Sequence, residues 1–204
     1  MLKLLFTTLA LFLFYPADDW KLKKEKSGIA VYTRSIEGSD FDEFKAETVI
    51  ENANIYDVLN VLMDVENYVN LYPDCYNPEI LEQKGKWNNI HYIVSKAPFP
   101  VKDRDGVNEI TTTFDEKGNS ARVTIKPLPD YIPEKKGIVR IQKGAGFWQL
   151  TEENSNVTIV YQYHGDPAGD IPAWLANSFV VTHPYKTMIN MRNMIKSNKQ
   201  TNKY

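Results

Sequence analysis

A chain of 204 residues is long enough for one domain with a sizeable core. Its 43% hydrophobic and 25% charged residues exclude a disordered polymer. A net charge of −2 argues against nucleic acid as a partner, because such binders carry a basic excess. The single cysteine, Cys75, excludes an intramolecular disulfide and a cysteine-based zinc site.

The first residues, "MLKLLFTTLALFLFYPADDW", carry one basic residue, Lys3, then an apolar run from Leu4 to Tyr15. Pro16 and Ala17 precede two acids. This is the layout of a secretory signal peptide over residues 1–17, with cleavage near Ala17 and an exported domain over 18–204. The run is shorter than the about 20 apolar residues that span a bilayer. No cysteine follows at once, so lipoprotein processing is not expected. An uncleaved anchor is the alternative.

"GIAVYTR" (Gly28 to Arg34) and "FDEFKAETVI" (Phe41 to Ile50), joined by the turn residues of "EGSD", predict a hairpin. The period then changes. Ile55, Val58, Leu59 and Leu62 sit at helical spacing behind Asn52 or Asn54 as the N-cap. A broken helical stretch runs on to Pro73. Two strands are expected around Lys84–Lys86 and two more around "EKGN". The segment 137–167 contains "KGAG" and "ENSN", each expected to be a turn. Val157, Ile159, Tyr161 and Tyr163 fall on one face of the last strand. Consecutive hairpins argue for an antiparallel sheet.

Two loops stand out. In "KAPFPVKDRDGV" (Lys96 to Val107) a proline-bracketed phenylalanine precedes four ionisable residues. Strict alternation puts Asp103 and Asp105 on one face and Lys102 and Arg104 on the other. Lys102 and Asp103 are expected on the solvent side, at the start of the strand. "KPLPDYIPEKKG", ending at Gly137, has three prolines that exclude an ordinary central strand. It is too apolar for a plain connector, and such loops are often functional covers.

The chain ends in a long helix, with Asp170 near its N-cap and Pro172 in its first turn. Ile171, Trp174, Leu175, Phe179, Tyr185, Met188, Ile189 and Ile195 form an apolar stripe. Pro184 is expected to kink it. No phosphate-binding loop, dinucleotide fingerprint or zinc-protease motif occurs. The three histidines, His91, His164 and His183, lack ligand spacing, so neither a metal nor a cofactor is expected. His164, Asp166 and Asp170 read as a turn leading into a helix cap, not as a catalytic group.

Across the mature chain these segments resemble the START family, the StAR-related lipid-transfer domains. "GIAVYTRSIEGSDFDEFKAE" resembles the family's first hairpin, "PFPVKDRD" its Arg-Asp strand and "KKGIVRI" the strand after its omega loop. "GFWQLT", "VTIVYQYHGDPAGDIPAWLANSFV" and "HPYKTMINMR" resemble its closing hairpin and final helix. The resemblance implies an α+β helix-grip fold: a curved antiparallel sheet wrapped around the C-terminal helix, with an internal hydrophobic cavity. It implies non-enzymatic binding of one lipid or other hydrophobic molecule by a monomer that makes transient membrane contact. The omega loop, about Pro127 to Lys136, and the helix would form the gate.

It also names candidate ligand contacts. Arg104 and Asp105 match the Arg-Asp motif, and a guanidinium suits a phosphate or carboxylate head group. The structural alternative for Arg104 is a salt bridge closing the sheet edge. Leu128 and Tyr131 of the loop, and Trp174, Phe179 and Met188 of the helix, are the apolar candidates. Sterol-binding members carry a carboxylate and an arginine near the positions of His91 and Ile110, which weakens a sterol reading here. The rival function is a cyclase or aromatase of the wider birch-allergen-like superfamily. It would need a perturbed titratable pair in the cavity, with His91 and Tyr92 the first to inspect.

Overall fold

The computed structural model describes residues 19–169 and 171–201. The leader over 1–17 and the helix cap at Asp170 lie outside the described residues. One ten-stranded sheet dominates. It contains β1 (Lys21–Lys26), β2 (Ile29–Arg34), β3 (Glu43–Glu51), β4 (Cys75–Gln83), β5 (Asn89–Ser95), β6 (Arg104–Phe114), β7 (Ser120–Pro127), β8 (Val139–Arg140), β9 (Lys143–Glu153) and β10 (Asn156–Asp166). Their order is β1-β2-β3-β10-β9-β7-β6-β5-β4, every neighbour antiparallel, and the short β8 runs parallel beside β6. Three helices follow the same path: α1 (Ile55–Met63), α2 (Tyr68–Leu71) and α3 (Ala173–Thr201).

The predicted hairpin forms as β2 and β3. Hydrophobic patterning does not predict the strand before it, "KLKKEK", because six residues with five charges carry almost no alternation. Its position explains the composition: lysines on an edge strand discourage pairing with another chain. The available signal was Ser27-Gly28, both at positive φ (55° and 67°), as a two-residue hairpin turn requires. Helix α1 starts where a capping box does. Asn54 accepts from the Asp57 backbone N–H at 3.0 Å, and Asp57 accepts from that of Asn54 at 2.9 Å.

Every second residue of β2, β3 and β7 is buried, as are Val157 and Ile159 of β10, so one face of the sheet carries the core. That face packs against α1, α2 and α3 through Ile29, Val31, Leu59, Leu62, Trp148, Leu150, Ile159 and Met188, all at most 2% exposed. Helix α3 lies against β2 and β3 and remains helical through Pro184. A smaller apolar cluster forms on the opposite face of β5 and β6. There Ile90, Tyr92, Val94 and Val107 are covered by Leu128 and Ile132 of the proline-rich loop and by Ile138 just after it.

"KGAG" is not a turn. Lys143 to Gly146 lie inside β9 and pair with β10 from Tyr163 to Asp166. The glycines make room rather than bend the chain. A Cβ on Gly146 would lie 2.4 Å from the Tyr163 ring, and one on Gly144 2.3 Å from its hydroxyl. "ENSN" does turn, with Asn154 and Ser155 at positive φ.

Candidate functional site

Two adjoining hollows of about 250 Å³ and about 230 Å³ lie along the inner face of the sheet beside α3. Phe44, Ser95, Arg104, Ile141, Tyr163 and His183 line both, so they are compartments of one cavity. Its size falls within the range of about 300–1,000 Å³ typical of small-molecule sites. The more enclosed compartment runs along β5 and β6 past His91, Ile93, Asn108 and Ile110. The more open one reaches Lys96 and Ala97 after β5, and Ile171, Ala176, Phe179 and Val180 at the start of α3.

Strand alternation builds this wall. Across β5 and β6 the inward pairs are His91–Asn108, Ile93–Gly106 and Ser95–Arg104, while Tyr92–Val107 and Val94–Asp105 face outward. On β10 the inward face predicted from sequence delivers Tyr161 and Tyr163 to the cavity. The Tyr161 ring stacks on Trp148 at 3.9 Å between centroids, nearly parallel. Tyr163 lies over Gly144, Gly146 and Gly165, which lets its ring serve as a wall of both compartments.

The two arginines near the cavity differ in how fully they are used. Arg140 is buried and presents all five N–H donors to protein acceptors. Its Nε reaches Asp105 Oδ1 at 2.8 Å and its Nη2 reaches Oδ2 at 3.1 Å. Nη1 donates to the carbonyls of Pro129 and Ile132, and Nη2 also to that of Pro133. Arg140 thus fastens the proline-rich loop to the sheet, and Asp105 raises its pKa further above the usual arginine value. Arg104 is only 6% exposed, yet no carboxylate pairs with it among the described residues. It donates to the carbonyls of Lys102, Pro167 (3.2 Å) and Ala168 (2.9 Å). Three of its five donors are used, and the side chain borders both compartments. Burial works against its charge and lowers its pKa. The salt bridge at this sheet edge is made by Asp105 with Arg140, not by Arg104.

At the enclosed end His91 Nδ1 meets the Asn89 side-chain oxygen at 2.9 Å. An amide oxygen only accepts, so Nδ1 carries the proton and Nε2 is left as an acceptor. Burial pushes the His91 pKa down to about 4, so the ring is neutral at pH 7. His183 borders both compartments and meets Asp74 at 3.3 Å. Its pKa is lowered by burial, against the opposing pull of Asp74.

Of the candidates chosen from sequence, His91, Arg104 and Phe179 line the cavity. Asp105 borders it but turns its carboxylate to Arg140. Tyr92 and Leu128 pack on the opposite side of the sheet, because alternation that turns His91 inward turns Tyr92 outward. Tyr131 is exposed and donates to Glu82 at 2.6 Å. Met188 is fully buried in the main core, and Trp174 is 74% exposed on the surface. Asp103 is not a plain solvent-side residue: it accepts from the Ala97 N–H at 2.9 Å and from the Tyr76 hydroxyl. Phe44, Tyr161, Tyr163 and His183 are not among the ligand contacts expected from sequence, yet they line the cavity. The alternation of β10 held the signal for the two tyrosines; nothing local marks His183.

No family model matches the chain. It is 36% identical over 179 residues to an uncharacterized protein of Pseudomonas aeruginosa, covering 86% of each. Over 164 residues it is 29% identical to the phosphatidylcholine transfer protein of Rattus norvegicus, covering 78% of this chain and 75% of that protein. A crystal structure of a STAR-related lipid transfer protein (fragment 25–204) from Xanthomonas axonopodis is 37% identical and superimposes with a TM-score of 0.81. That match covers 88% of this chain and 99% of the other. With its ten-stranded sheet, C-terminal helix and the cavity between them, the chain belongs to the START family of StAR-related lipid-transfer domains.

Proposed function

We propose that the protein is an exported, monomeric, non-enzymatic carrier that holds one lipid in this cavity, with an acidic head group at Arg104 and an apolar tail along Phe44, Ile141, Tyr163 and Phe179. The observation that carries the reading is a buried guanidinium with two unused donors on the wall of an otherwise largely apolar cavity. A buried cation without a counter-ion is unfavourable, and an arriving phosphate or carboxylate relieves that.

Energetics suit exchange. Burying an acyl chain away from water is worth about 0.8 kcal/mol per methylene, roughly 13 kcal/mol for about 16 carbons. A bilayer offers a similar gain, so transfer between membrane and cavity is nearly balanced. The head-group contact then sets choice and the gate sets rate. Arg104 serves both, since its bonds to Pro167 and Ala168 hold the turn that leads towards α3. The cyclase reading loses support because His91 and Tyr92 face opposite sides of β5.

Solvent extraction of the purified protein followed by mass spectrometry should yield a lipid with an acidic head. Arg104→Ala should weaken binding of such a lipid by about tenfold to a hundredfold, the worth of one or two hydrogen bonds to a charged group. No bound or acquired lipid across varied classes would defeat the carrier reading. An unchanged affinity would remove Arg104 from the site.

A further inference from the structure

The cavity has a second donor beside its guanidinium. Ser95 and Arg104 are partners across β5 and β6, and both border the two compartments. Cross-strand partners lie about 5 Å apart at Cβ, so the Ser95 hydroxyl stands within reach of a group held by Arg104. Arg104 spends Nε on the Pro167 carbonyl, one Nη1 proton on that of Lys102 and one Nη2 proton on that of Ala168. One N–H therefore remains on each terminal nitrogen. Two such donors match the two oxygens of one acid group, and a hydroxyl adds a third bond.

The space beyond these donors is short. From Arg104 the enclosed compartment follows β6 to Ile110, the last β6 residue on its wall, which pairs with Ile125 of β7. A methylene fills about as much space as a water molecule, roughly 30 Å³. The enclosed compartment, about 250 Å³, thus takes a chain of about eight to ten carbons. Even with the open compartment added, two long acyl chains do not fit. The wall is also held in place. Trp148 stacks on Tyr161, the Tyr161 ring meets Phe44 edge-on at 4.9 Å, and Phe44 lies 6.4 Å from Tyr163, which is seated over three glycines. A ring in such a row moves only by giving up its neighbours, so the row does not yield as methionine would.

We propose that the ligand is a single-chain acid of medium length, not a two-chain phospholipid. Arg104 and Ser95 hold its acid group, its chain fills the enclosed compartment as far as Ile110, and the row Phe44, Tyr161 and Tyr163 leaves no room for a second chain. This rests on the carrier reading above and goes beyond it by naming the ligand class and the residues that select it.

The test titrates the purified, delipidated protein by calorimetry with saturated fatty acids from hexanoate to octadecanoate, the longer ones delivered from cyclodextrin, and with dipalmitoyl phosphatidate. Affinity should tighten about fourfold per added methylene up to about ten carbons, then level off or fall. The phosphatidate should bind far more weakly than decanoate. Ser95→Ala should weaken decanoate about tenfold, the loss of one hydrogen bond to a charged group, without moving the optimum length. Ile110→Ala, which lengthens the enclosed compartment, should move the optimum to longer acids. The proposal is overturned if affinity climbs unbroken to octadecanoate, or if the phosphatidate binds as tightly as decanoate. The series on the parent decides this even where a variant fails to fold. A folded Ile110→Ala with an unchanged optimum would take the chain out of the enclosed compartment, and Ser95→Ala binding as the parent does would take Ser95 out of the site. Tight binding of the phosphatidate would leave the carrier reading standing, whereas binding of no acid at all would defeat that reading itself.

Discussion

Arg104 and Arg140 lie on neighbouring strands and play opposite parts. Asp105 and Arg140 are register partners on β6 and β8, and both side chains are at most 1% exposed. Removing one member of such a pair leaves a buried charge without its partner. Arg140→Ala should therefore destabilise the fold by about 3–5 kcal/mol in denaturant titration. Replacing both, Arg140→Met with Asp105→Leu, should recover most of that loss, because no charge is then left buried. A double variant as unstable as the single one would show that the loop carbonyls held by Arg140, not the ion pair, carry the effect. Sequence could mark Arg104 and Asp105 as special, since charges at the start of a sheet-core strand need a reason. It could not divide their roles. The partner of Asp105 is 35 residues away, and one carbonyl held by Arg104 is 64 residues away.

Among the elements, β9 shows how local signals can mislead. Two glycines flanking an alanine read as a turn, yet they lie in a paired strand because Tyr163 of β10 needs the space above them. Gly146→Ala would bring a methyl to 2.4 Å from that ring and 2.6 Å from the Gln162 carbonyl. A loss of about 1–3 kcal/mol by thermal or chemical unfolding is expected, together with a narrowed cavity and weaker lipid acquisition, since Tyr163 lines both compartments. Tolerance of alanine there would mean that the ring moves freely. By contrast, α1, the β2–β3 hairpin and the inward face of β10 were legible, because capping chemistry and the two-residue period act over a few neighbours. Strand β1 was hidden by its charges, which suit an edge and say little about a strand.

At the scale of the whole molecule, burial of His91 ties stability to pH. The native pKa of about 4 lies below the ordinary value of 6.5. Between those values the unfolded chain takes up a proton that the native ring refuses. Stability is therefore full above pH 6.5 and falls as pH drops towards 4, by about 3 kcal/mol from this residue. His183, shifted in the same direction by burial, adds to the trend. Unfolding measured between pH 4 and 7 should show a shallower slope for His91→Gln than for the parent. Parallel slopes would mean that His91 is accessible to solvent in the native state.

Sequence by itself determined most of the alternating segments, the Asn154-Ser155 turn, and that one long helix follows an antiparallel sheet, because these follow from contacts among near neighbours. Only the tertiary structure decided that the proline-rich loop packs behind β5 and β6, that Tyr92 faces away from the cavity while His91 faces it, and that Trp174 stands in solvent. Those outcomes depend on which strands lie side by side and in what register, and register places every side chain on one face or the other. The unused N–H donors of a buried guanidinium belong to the same class: they are counted only when the distant carbonyls around it are in place.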